Sequence, residues 1–570
     1  MSTDKLDAAR SILRQQFGYP DFRKGQADAI ATVLSGRDVL VVLPTGGGKS
    51  LCYQVPALVL PGMTVVISPL ISLMHDQVQA LERRGIRATY VDSTLARGEL
   101  HSRLTRAFRG ELKLLYVAPE RLMTGDLAHR LRSTELSLLA VDEAHCISEW
   151  GHDFRPSYLR LAQARMAIGA PPTIALTATA TPEVRRDIVR LVGLKQPRVI
   201  VTGFDRPNLT FRVQRASTDK AKCAALLGLM RGSTGASVVY ASTRGTVERL
   251  AGLLTRNGVP AAAYHAGRED AVRARAQAAF MTDRVRAIVA TNAFGMGVDK
   301  SDVRAVVHYA MPGTLEAYYQ EAGRGGRDGR SAVATLLHAY TDRFTHEFFI
   351  EASSPPWALV QRVHALLRSS PSGVNRDALA ARLGRGSAGV RAGAGTGADL
   401  DAALRVLRGA GLLGDEPGPG DRATVRLVAT PKRVRQELGC EESFELGVLR
   451  SLWRAHGERL ADGVTVNLAQ LPPGLGGVAN VAPVLNALQG RQLVVWTPMP
   501  EKLHLTDRST PLDKAVPKGS LERHRQHSLA KLRAMERYAF ARTCRRAELL
   551  RYFGDRPRAG KCGGCDNCSD

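Results

Sequence analysis

The chain has 570 residues, of which 44% are hydrophobic and 23% are charged. A single hydrophobic core stops growing near roughly 250–300 residues, so this length predicts three or four domains. The composition excludes a disordered or fibrous protein. The 79 basic and 54 acidic side chains leave a net charge of +25. This charge predicts a polyanionic partner, with nucleic acid preferred and a membrane surface as the rival.

The first residues mix charges and contain no apolar core of signal-peptide length, so we expect a cytoplasmic protein. The apolar stretch 56–74 is interrupted by Pro61, Gly62 and Pro69. A membrane-spanning helix needs about 20 uninterrupted apolar residues. We therefore expect no transmembrane span and no membrane partner.

Short β-branched runs alternate with longer amphipathic segments between residues 39 and 341, which is typical of parallel strands joined by crossover helices. This pattern predicts two α/β domains with a boundary near residues 204–208. The predicted strands are 39–43, 64–69, 112–119, 136–143, 173–181, 237–242, 286–292 and 304–310.

After residue 351 the chain becomes rich in glycine and proline. Residues 375–384 and 398–413 have helical patterns, 414–421 is a turn, and RATVRLVA (422–429) is a predicted strand. This order is that of a winged helix, and the segments 445–460, 478–493 and 494–498 suggest a second round of it. The alternative is a helical insertion without a role in nucleic-acid binding.

Four of the eight cysteines lie in the last 27 residues, which favours a metal site over a disulfide framework. Cys544, Cys562, Cys565 and Cys568 supply four thiolates, a set that suits tetrahedral Zn²⁺. An iron–sulfur cluster is the competing interpretation, because C-x2-C-x2-C also occurs in ferredoxins.

PTGGGKS (44–50) stands between a predicted strand and a predicted helix. Glycines at this point let backbone N–H groups surround phosphate oxygens, and the lysine reaches the terminal phosphates. The serine can bind Mg²⁺. The predicted nucleotide-binding residues are Thr45, Gly46, Gly47, Gly48, Lys49 and Ser50.

Asp142 and Glu143 end an apolar predicted strand, at the edge where open α/β sheets bind ligands. We expect Asp142 to hold Mg²⁺ and Glu143 to orient the attacking water. YYQEAGRGGRDGR (318–330) offers positive charge for the γ-phosphate. Gln320, Arg324 and Arg327 are the candidates there, and Arg327 is the expected arginine finger.

This ordered set of motifs resembles the superfamily 2 helicases, specifically the RecQ DNA helicases. FGYPDFRKGQ (17–26) is similar to the family motif that recognises adenine, which implies this role for Tyr19, Arg23 and Gln26. Further similar segments are SPLISLMHDQ (68–77), APERL (118–122), LTATAT (176–181), VVYASTR (238–244), ATNAFGMGVDK (290–300) and YYQEAGRGGRDG (318–329).

CISEWGHDFRPSY (146–158) resembles the aromatic-rich loop of this family. Trp150 and Phe154 offer flat faces on which bases stack, worth roughly 1–3 kcal/mol per base, and Arg155 adds charge. His145 and His152 are expected to relay DNA contact to the nucleotide site.

The resemblance implies two tandem RecA-like parallel-sheet domains (1–205 and 206–350) and a helical zinc-binding subdomain (517–570). Residues 351–516 depart from the family pattern, and we expect them to form a winged-helix-like α+β insertion between the motor and the zinc-binding subdomain. The resemblance favours zinc over iron–sulfur at the four cysteines. Residues 517–570 carry 13 basic and 6 acidic side chains, and we expect them to hold DNA backbone.

The implied function is an ATP- and Mg²⁺-dependent DNA helicase that moves 3′ to 5′ on single-stranded DNA and unwinds duplex or branched DNA in recombination and repair. The expected partners are single-stranded and tailed or branched duplex DNA, with a single-strand-binding protein as a candidate. We expect a monomer in the bacterial cytosol and nucleoid.

Three alternatives stay open. The chain could be an RNA helicase, a DNA-stimulated translocase that does not unwind, or an architectural DNA-binding protein with a degenerate ATPase. The presence of Lys49, Asp142, Glu143 and Arg327 argues against the last.

Overall fold

The computed structural model divides the chain into two compact units, residues 1–350 together with 524–570, and residues 351–523. It describes residues 2–570 except 93–94, 96, 123–126, 149–154, 234, 293, 295–299, 371–372, 385–396, 416–421, 439–442, 462, 469–470, 472–477, 492, 499–501, 518, 558–559 and 569–570.

The first part of the larger unit is a parallel sheet covered by helices. Within the described residues it has seven strands in the order β3-β4-β2-β5-β6-β1-β7. The strands are β1 (Val39–Val42), β2 (Met63–Ile67), β3 (Ala88–Val91), β4 (Leu114–Val117), β5 (Leu136–Val141), β6 (Thr173–Thr177) and β7 (Arg198–Val201). The helices are α1 (Ser2–Phe17), α2 (Gln26–Leu34), α3 (Leu51–Val59), α4 (Ile71–Glu82), α5 (Arg97–Phe108), α6 (Pro119–Leu122), α7 (Leu127–Arg132), α8 (Leu161–Ala167) and α9 (Pro182–Val192).

A second parallel sheet follows, with the order β10-β11-β9-β12-β13-β8 in the described part of the chain. Its strands are β8 (Leu209–Arg215), β9 (Ala236–Tyr240), β10 (Ala261–Tyr264), β11 (Ala287–Ala290), β12 (Val303–His308) and β13 (Ala332–His338). Its helices are α10 (Asp219–Gly232), α11 (Arg244–Arg256), α12 (Asp270–Met281), α13 (Leu315–Ala322) and α14 (Asp342–Ser353).

Both sheets bury most residues of their inner strands, because helices cover both faces, whereas the edge strands β7, β8 and β10 are largely only partly buried or exposed. Threonine side chains begin several of the crossover helices by accepting the orphan backbone N–H of the first turn, as Thr181, Thr218, Thr243 and Thr314 do. The two predicted α/β domains are therefore confirmed as two parallel sheets.

The C-terminal residues return to the larger unit. The helices α22 (Ser520–Phe540) and α23 (Arg545–Tyr552) precede the last cysteines. Phe211 N of β8 donates to Gly564 O at 3.0 Å, and Val213 N donates to Asp566 Oδ2 at 2.9 Å. The edge of the second sheet is thus extended by the cysteine-bearing segment.

The unit 351–523 contains two small modules, one nested in the other. The outer module consists of α15 (Trp357–Arg368), β14 (Val374–Asn375), α16 (Arg376–Gly384), α17 (Gly397–Gly409), β15 (Leu413–Asp415), β19 (Lys502–Leu505) and α21 (Leu512–Ala515). Its antiparallel strands have the order β14-β19-β15. The chain order is α15, β14, α16, α17, β15 and β19. Three helices, a short strand between the first two, and two later strands that complete the sheet are the topology of a winged helix.

The inner module lies between β15 and β19 in the sequence. It consists of β16 (Arg422–Leu427), α18 (Pro431–Leu438), α19 (Phe444–His456), β17 (Val464–Asn467), α20 (Val478–Gly490) and β18 (Val494–Pro498). Its strand order is β17-β16-β18. The strand expected to close the first winged helix, RATVRLVA, is therefore β16 of the inner sheet, and β19 takes that place instead.

The two modules have separate apolar cores, centred on residues such as Leu407 in the outer module and Leu452 in the inner one. In the part of the chain that the structure describes, no helix has both the length and the apolar character to span a membrane.

Candidate functional site

The phosphate loop, residues 44–50, joins β1 to α3 at the carboxyl end of the first sheet. Gly46 and Gly48 have φ angles of 80° and 73°, which favour glycine. A Cβ on Gly47 would lie 2.9 Å from Pro44 O, and one on Gly48 would lie 2.5 Å from Gln26 Nε2. The loop therefore needs glycine at these positions for conformational and steric reasons.

Two side chains at the start of α2 contact this loop: Arg23 just before the helix and Gln26 at its first position. Gln26 is buried, and its Nε2 donates to Gly47 O and Gly48 O, both at 3.0 Å. Its Oε1 accepts from Arg23 N at 2.8 Å, while the Arg23 guanidinium donates to Gly46 O. Tyr19 lines the same cleft and is 43% exposed. The residues expected at adenine thus adjoin the phosphate loop.

Asp142 and Glu143 directly follow β5. Asp142 Oδ1 accepts from Glu143 N at 2.9 Å, and Tyr158 OH donates to Asp142 O at 3.1 Å. Burial, and after it the charge of Glu143, raise the pKa of Asp142 to about 7. A nearby cation would lower it again, so this carboxyl pair suits a metal ion.

His145 lies buried between the acidic pair and the end of β6. Its Nδ1 is 2.9 Å from Thr177 Oγ1 and 3.3 Å from Glu143 Oε2. Burial opposes the charged imidazole, but Cys146 and Glu143 outweigh it and raise the pKa of His145 to about 10. This histidine joins Glu143 to the LTATAT segment.

The arginine turn, residues 323–327, follows α13 of the second sheet. Gln320, Arg324 and Arg327 line the same cleft as Lys49, Asp142 and Glu143. The Arg327 side chain packs on the phosphate loop, since a Cβ on Gly46 would lie 3.2 Å from its Cγ. All six predicted catalytic residues therefore face one cleft, with contributions from both sheets.

The lining of the cleft carries the charges that a nucleoside triphosphate and its metal ion require. The cavity volume is about 300 Å³, and the lining combines Lys49, Arg324 and Arg327 with the acidic pair. Thr45 Oγ1 is buried and has no hydrogen-bond partner among the described residues. A phosphate oxygen or a hydrated cation at the loop would satisfy such an atom.

The aromatic-rich loop is described only at its two ends. Trp150, His152 and Phe154 lie outside the described residues. On one side Ser148 Oγ donates to Asp187 Oδ2 at 2.7 Å, and on the other Arg155 N donates to Cys146 O at 2.9 Å. The Arg155 guanidinium donates to Pro69 O, in the SPLISLMHDQ segment.

The four C-terminal cysteines form one cluster. The sulfur atoms of Cys544, Cys562, Cys565 and Cys568 all lie within 4.8 Å of one another. In a tetrahedral Zn²⁺ site with Zn–S bonds near 2.3 Å, thiolate sulfurs are about 3.8 Å apart. The cluster therefore has the ligand set and approximate spacing that a single tetrahedral zinc ion requires. Residues 524–570 are called the zinc module below.

Sequence reasoning missed Arg206, which lies between the two sheets. Its guanidinium contacts Thr45 O and the arginine turn. Arg206 follows Phe204 and Asp205 at the predicted domain boundary, and an arginine in a short linker is the only signal that points to it.

Two parallel-sheet domains that share a cleft with a phosphate loop, an acidic pair and arginines define the motor of a nucleotide-dependent helicase. Three family models match the chain: DEAD/DEAH box helicase at residues 23–188, helicase conserved C-terminal domain at 220–329 and RecQ zinc-binding at 506–569. The chain is 44% identical over 347 residues to the probable ATP-dependent DNA helicase RecS of Bacillus subtilis, covering 60% of this chain and 70% of that protein. The chain belongs to the RecQ family.

The chain is also 45% identical over 350 residues to the ATP-dependent DNA helicase RecQ of Pasteurella multocida. This match covers 61% of the chain and 55% of the relative, so the chain spans little more than half of that protein's length. The fold is similar to that of the DEAD-box helicase Mss116, solved bound to single-stranded RNA and UDP-BeF, with a TM-score of 0.50 at 16% identity. That match covers 61% of this chain and 75% of the other.

Proposed function

We propose that this protein is an ATP-dependent DNA helicase that moves 3′ to 5′ on single-stranded DNA and unwinds tailed or branched duplexes in recombination and repair. The observation that carries the proposal is the single cleft to which both sheets contribute charged residues. The names of the RecQ and RecS relatives support DNA as the substrate.

In this proposal ATP lies in the cleft with its adenine near Tyr19 and Gln26 and its phosphates in the phosphate loop. Lys49 neutralises the terminal phosphates, and Ser50 and Asp142 would hold Mg²⁺, which supplies Lewis-acid stabilisation of the transferred phosphoryl group when bound. Glu143 orients the attacking water, and Arg327 stabilises the charge on the γ-phosphoryl group while it passes from ADP to that water.

In this proposal the two α/β domains move relative to each other. Arg324 and Arg327 belong to the second of them, whereas Lys49 and the acidic pair belong to the first. A nucleotide with a γ-phosphate attracts these two arginines toward Lys49 and the acidic pair, and loss of that phosphate weakens the attraction. The cleft then alternates between closed and open states. Bases stack on Trp150 and Phe154 during this cycle, while His145 and His152 relay their presence to Glu143.

The excess of basic side chains supports a DNA substrate, because phosphate contacts release counterions and supply sequence-independent affinity. By family resemblance we also propose a monomer in the bacterial cytosol that meets a single-strand-binding protein on its substrate.

The test compares ATP hydrolysis in the presence of single-stranded DNA and of single-stranded RNA of the same sequence. We expect strong stimulation by DNA and weak stimulation by RNA. Strand displacement on duplexes with a 3′ tail or a 5′ tail then tests unwinding, and only the 3′-tailed duplex should open. Stimulation by RNA alone, or displacement of neither duplex, would contradict the proposal.

A further inference from the structure

The linker, residues 202–208, connects β7 of the first sheet to β8 of the second. It therefore lies where any change of distance between the two sheets must be accommodated. Its backbone is held at several points rather than left to solvent: Phe204 O accepts from Tyr319 OH at 2.7 Å, and Phe204 N donates to Asp555 Oδ2 at 2.6 Å.

Arg206 extends from the linker to both halves of the nucleotide cleft. Its Nη1 donates to Thr45 O of the phosphate loop at 3.0 Å and to Gly323 O at 3.1 Å. Its Nη2 donates to Gly325 O at 2.9 Å and to Gly326 O at 3.2 Å. One guanidinium thus joins the loop that holds phosphate to the turn that carries Arg324 and Arg327.

The zinc module holds the linker from the other side. Arg546 Nη1 donates to Asp205 Oδ1 at 2.6 Å and to Arg206 O at 2.7 Å, and its Nη2 donates to Leu209 O at 2.7 Å. The Phe553 ring stacks on Phe204 with 4.5 Å between ring centroids. Arg546 follows the zinc ligand Cys544 by two residues, so the metal and the linker are held by the same short segment.

We propose that Arg206 is a positioning residue that sets the distance between the phosphate loop and the arginine turn, and that the zinc module fixes Arg206 by clamping the linker. The inference rests on the proposed ATP hydrolysis and adds to it a link between the zinc module and the cleft. Arg206 does not line the cleft cavity, so it acts through Thr45 and residues 323–326.

The chemistry explains why arginine occupies this position. The planar guanidinium has five N–H donors in a fixed fork, which can bond several carbonyls at once. Lysine has the same charge but concentrates its three donors at one point. A lysine at position 206 can keep one or two of the four contacts, so it should restore part of the function that alanine loses.

The experiment measures steady-state ATP hydrolysis of the full chain with single-stranded DNA for R206A, R206K and wild type. For R206A we expect kcat to fall roughly 10- to 100-fold, because small misplacements of catalytic groups have effects of this size. The KM for ATP should change by less than about threefold, because the groups that bind ATP remain. R206K should lie between the two proteins.

Asp205→Asn tests the clamp, because it weakens the bond from Arg546 without altering a zinc ligand or Arg206. We expect kcat to fall about threefold, in line with loss of a partly exposed ion pair, and zinc content to stay unchanged.

The matched control for R206A is Arg286→Ala. Arg286 is also half-buried and donates to a backbone carbonyl of α10, Met230 O, and it does not line the cleft. Its kcat should stay at the wild-type value.

Hydrogen exchange separates this inference from the proposed function. In R206A we expect faster amide exchange in peptides covering 43–50 and 320–330, with the zinc module unchanged. A wild-type protein that hydrolyses no ATP would refute the proposed function, and the exchange rates would still decide the inference. Wild-type kcat and unchanged exchange in R206A would overturn it, as would a loss of nucleotide binding and thermal stability that R206K does not repair.

Discussion

The two compact units bury different kinds of side chains. In the described part of the unit 351–523, the buried polar residues are only His364 and Ser370, and an ion pair such as Arg376–Asp401 has side chains 45% and 43% exposed. The larger unit instead buries whole ion pairs, with bond lengths of 2.7–2.9 Å: Asp38–Arg165, Lys222–Asp342 and Lys531–Glu316.

This difference follows from what each unit has to hold in place. Removing charges from water costs more than their attraction returns unless the geometry is good, so buried pairs contribute specificity of position rather than net stability. The larger unit must align a phosphate loop, an acidic pair and an arginine turn from separate segments. The nested modules need only bring apolar helix faces onto two small sheets. Removing a charge should therefore matter greatly in one unit and little in the other.

The largest difference between the two units is expected when one lysine in each is replaced by alanine and ATP hydrolysis is measured. Lys49→Ala should reduce ATP hydrolysis by roughly 1,000-fold or more, because it removes positive charge at the reacting phosphates. The exposed Lys514 of the outer module is the matched control, and Lys514→Ala should hydrolyse ATP at the wild-type rate. Near-normal turnover in Lys49→Ala would contradict the assignment of the cleft.

A similar contrast is expected for cysteine. Cys562→Ser should lose bound zinc and lower the unfolding temperature, because zinc binding contributes directly to folding of such modules. The half-buried Cys223 lies outside the cluster, and Cys223→Ser should keep its zinc. Atomic absorption measures the metal, and unchanged zinc in Cys562→Ser would refute the four-thiolate site.

The third prediction concerns the contribution of the buried Asp38–Arg165 ion pair of the larger unit to the free energy of unfolding. Asp38 accepts from Arg165, Thr173 N and Lys195 N. Arg165→Ala leaves this carboxylate buried without its cation, and we expect the free energy of unfolding to fall by about 3–5 kcal/mol. Chemical denaturation of the larger unit measures it. A change below about 1 kcal/mol would show that the two backbone N–H groups suffice.

The smallest effect is expected for the exposed pair of the outer module. Arg376 contacts both carboxylate oxygens of Asp401 at 2.9 Å. Because water screens the pair, Arg376→Ala should change the free energy of unfolding far less than Arg165→Ala does. A loss as large as that of Arg165→Ala would remove the distinction between the units.

Most inner strands of both sheets, and the charged residues that line the cleft, could be predicted from the sequence. Apolar runs such as Leu136–Val141 mark strands that are covered on both faces, and Asp142 and Glu143 directly follow that strand. Lys49 lies in the glycine-rich loop between β1 and α3. The strands β3, β7, β8, β10 and β13 were not predicted, although β13 is apolar and lies inside the second sheet. Ala261–Tyr264 is mostly alanine, and Leu209–Arg215 alternates polar and apolar residues at the sheet edge where the zinc module pairs.

Long-range pairing explains the remaining differences. Local pattern identified Arg422–Leu427 as a strand but not its partners, since both candidate sheets offer short antiparallel strands. The contacts of Arg206 are equally invisible in the sequence, because 161 positions separate it from Thr45 and 117 from Gly323. Only the fold brings these carbonyls to one guanidinium.

Because one module is inserted within the other, the unit 351–523 should tolerate insertion of a different domain between β15 and β19. Asp415 of β15 pairs with Leu503 of β19, and Ala423 of β16 pairs with Pro498 of β18. The chain therefore leaves the outer module and returns to it at neighbouring points, the geometry that tolerates domain insertion. Replacing residues 416–501 by a tight turn would leave β15 and β19 as a plain hairpin, and a different domain could be spliced in at the same place.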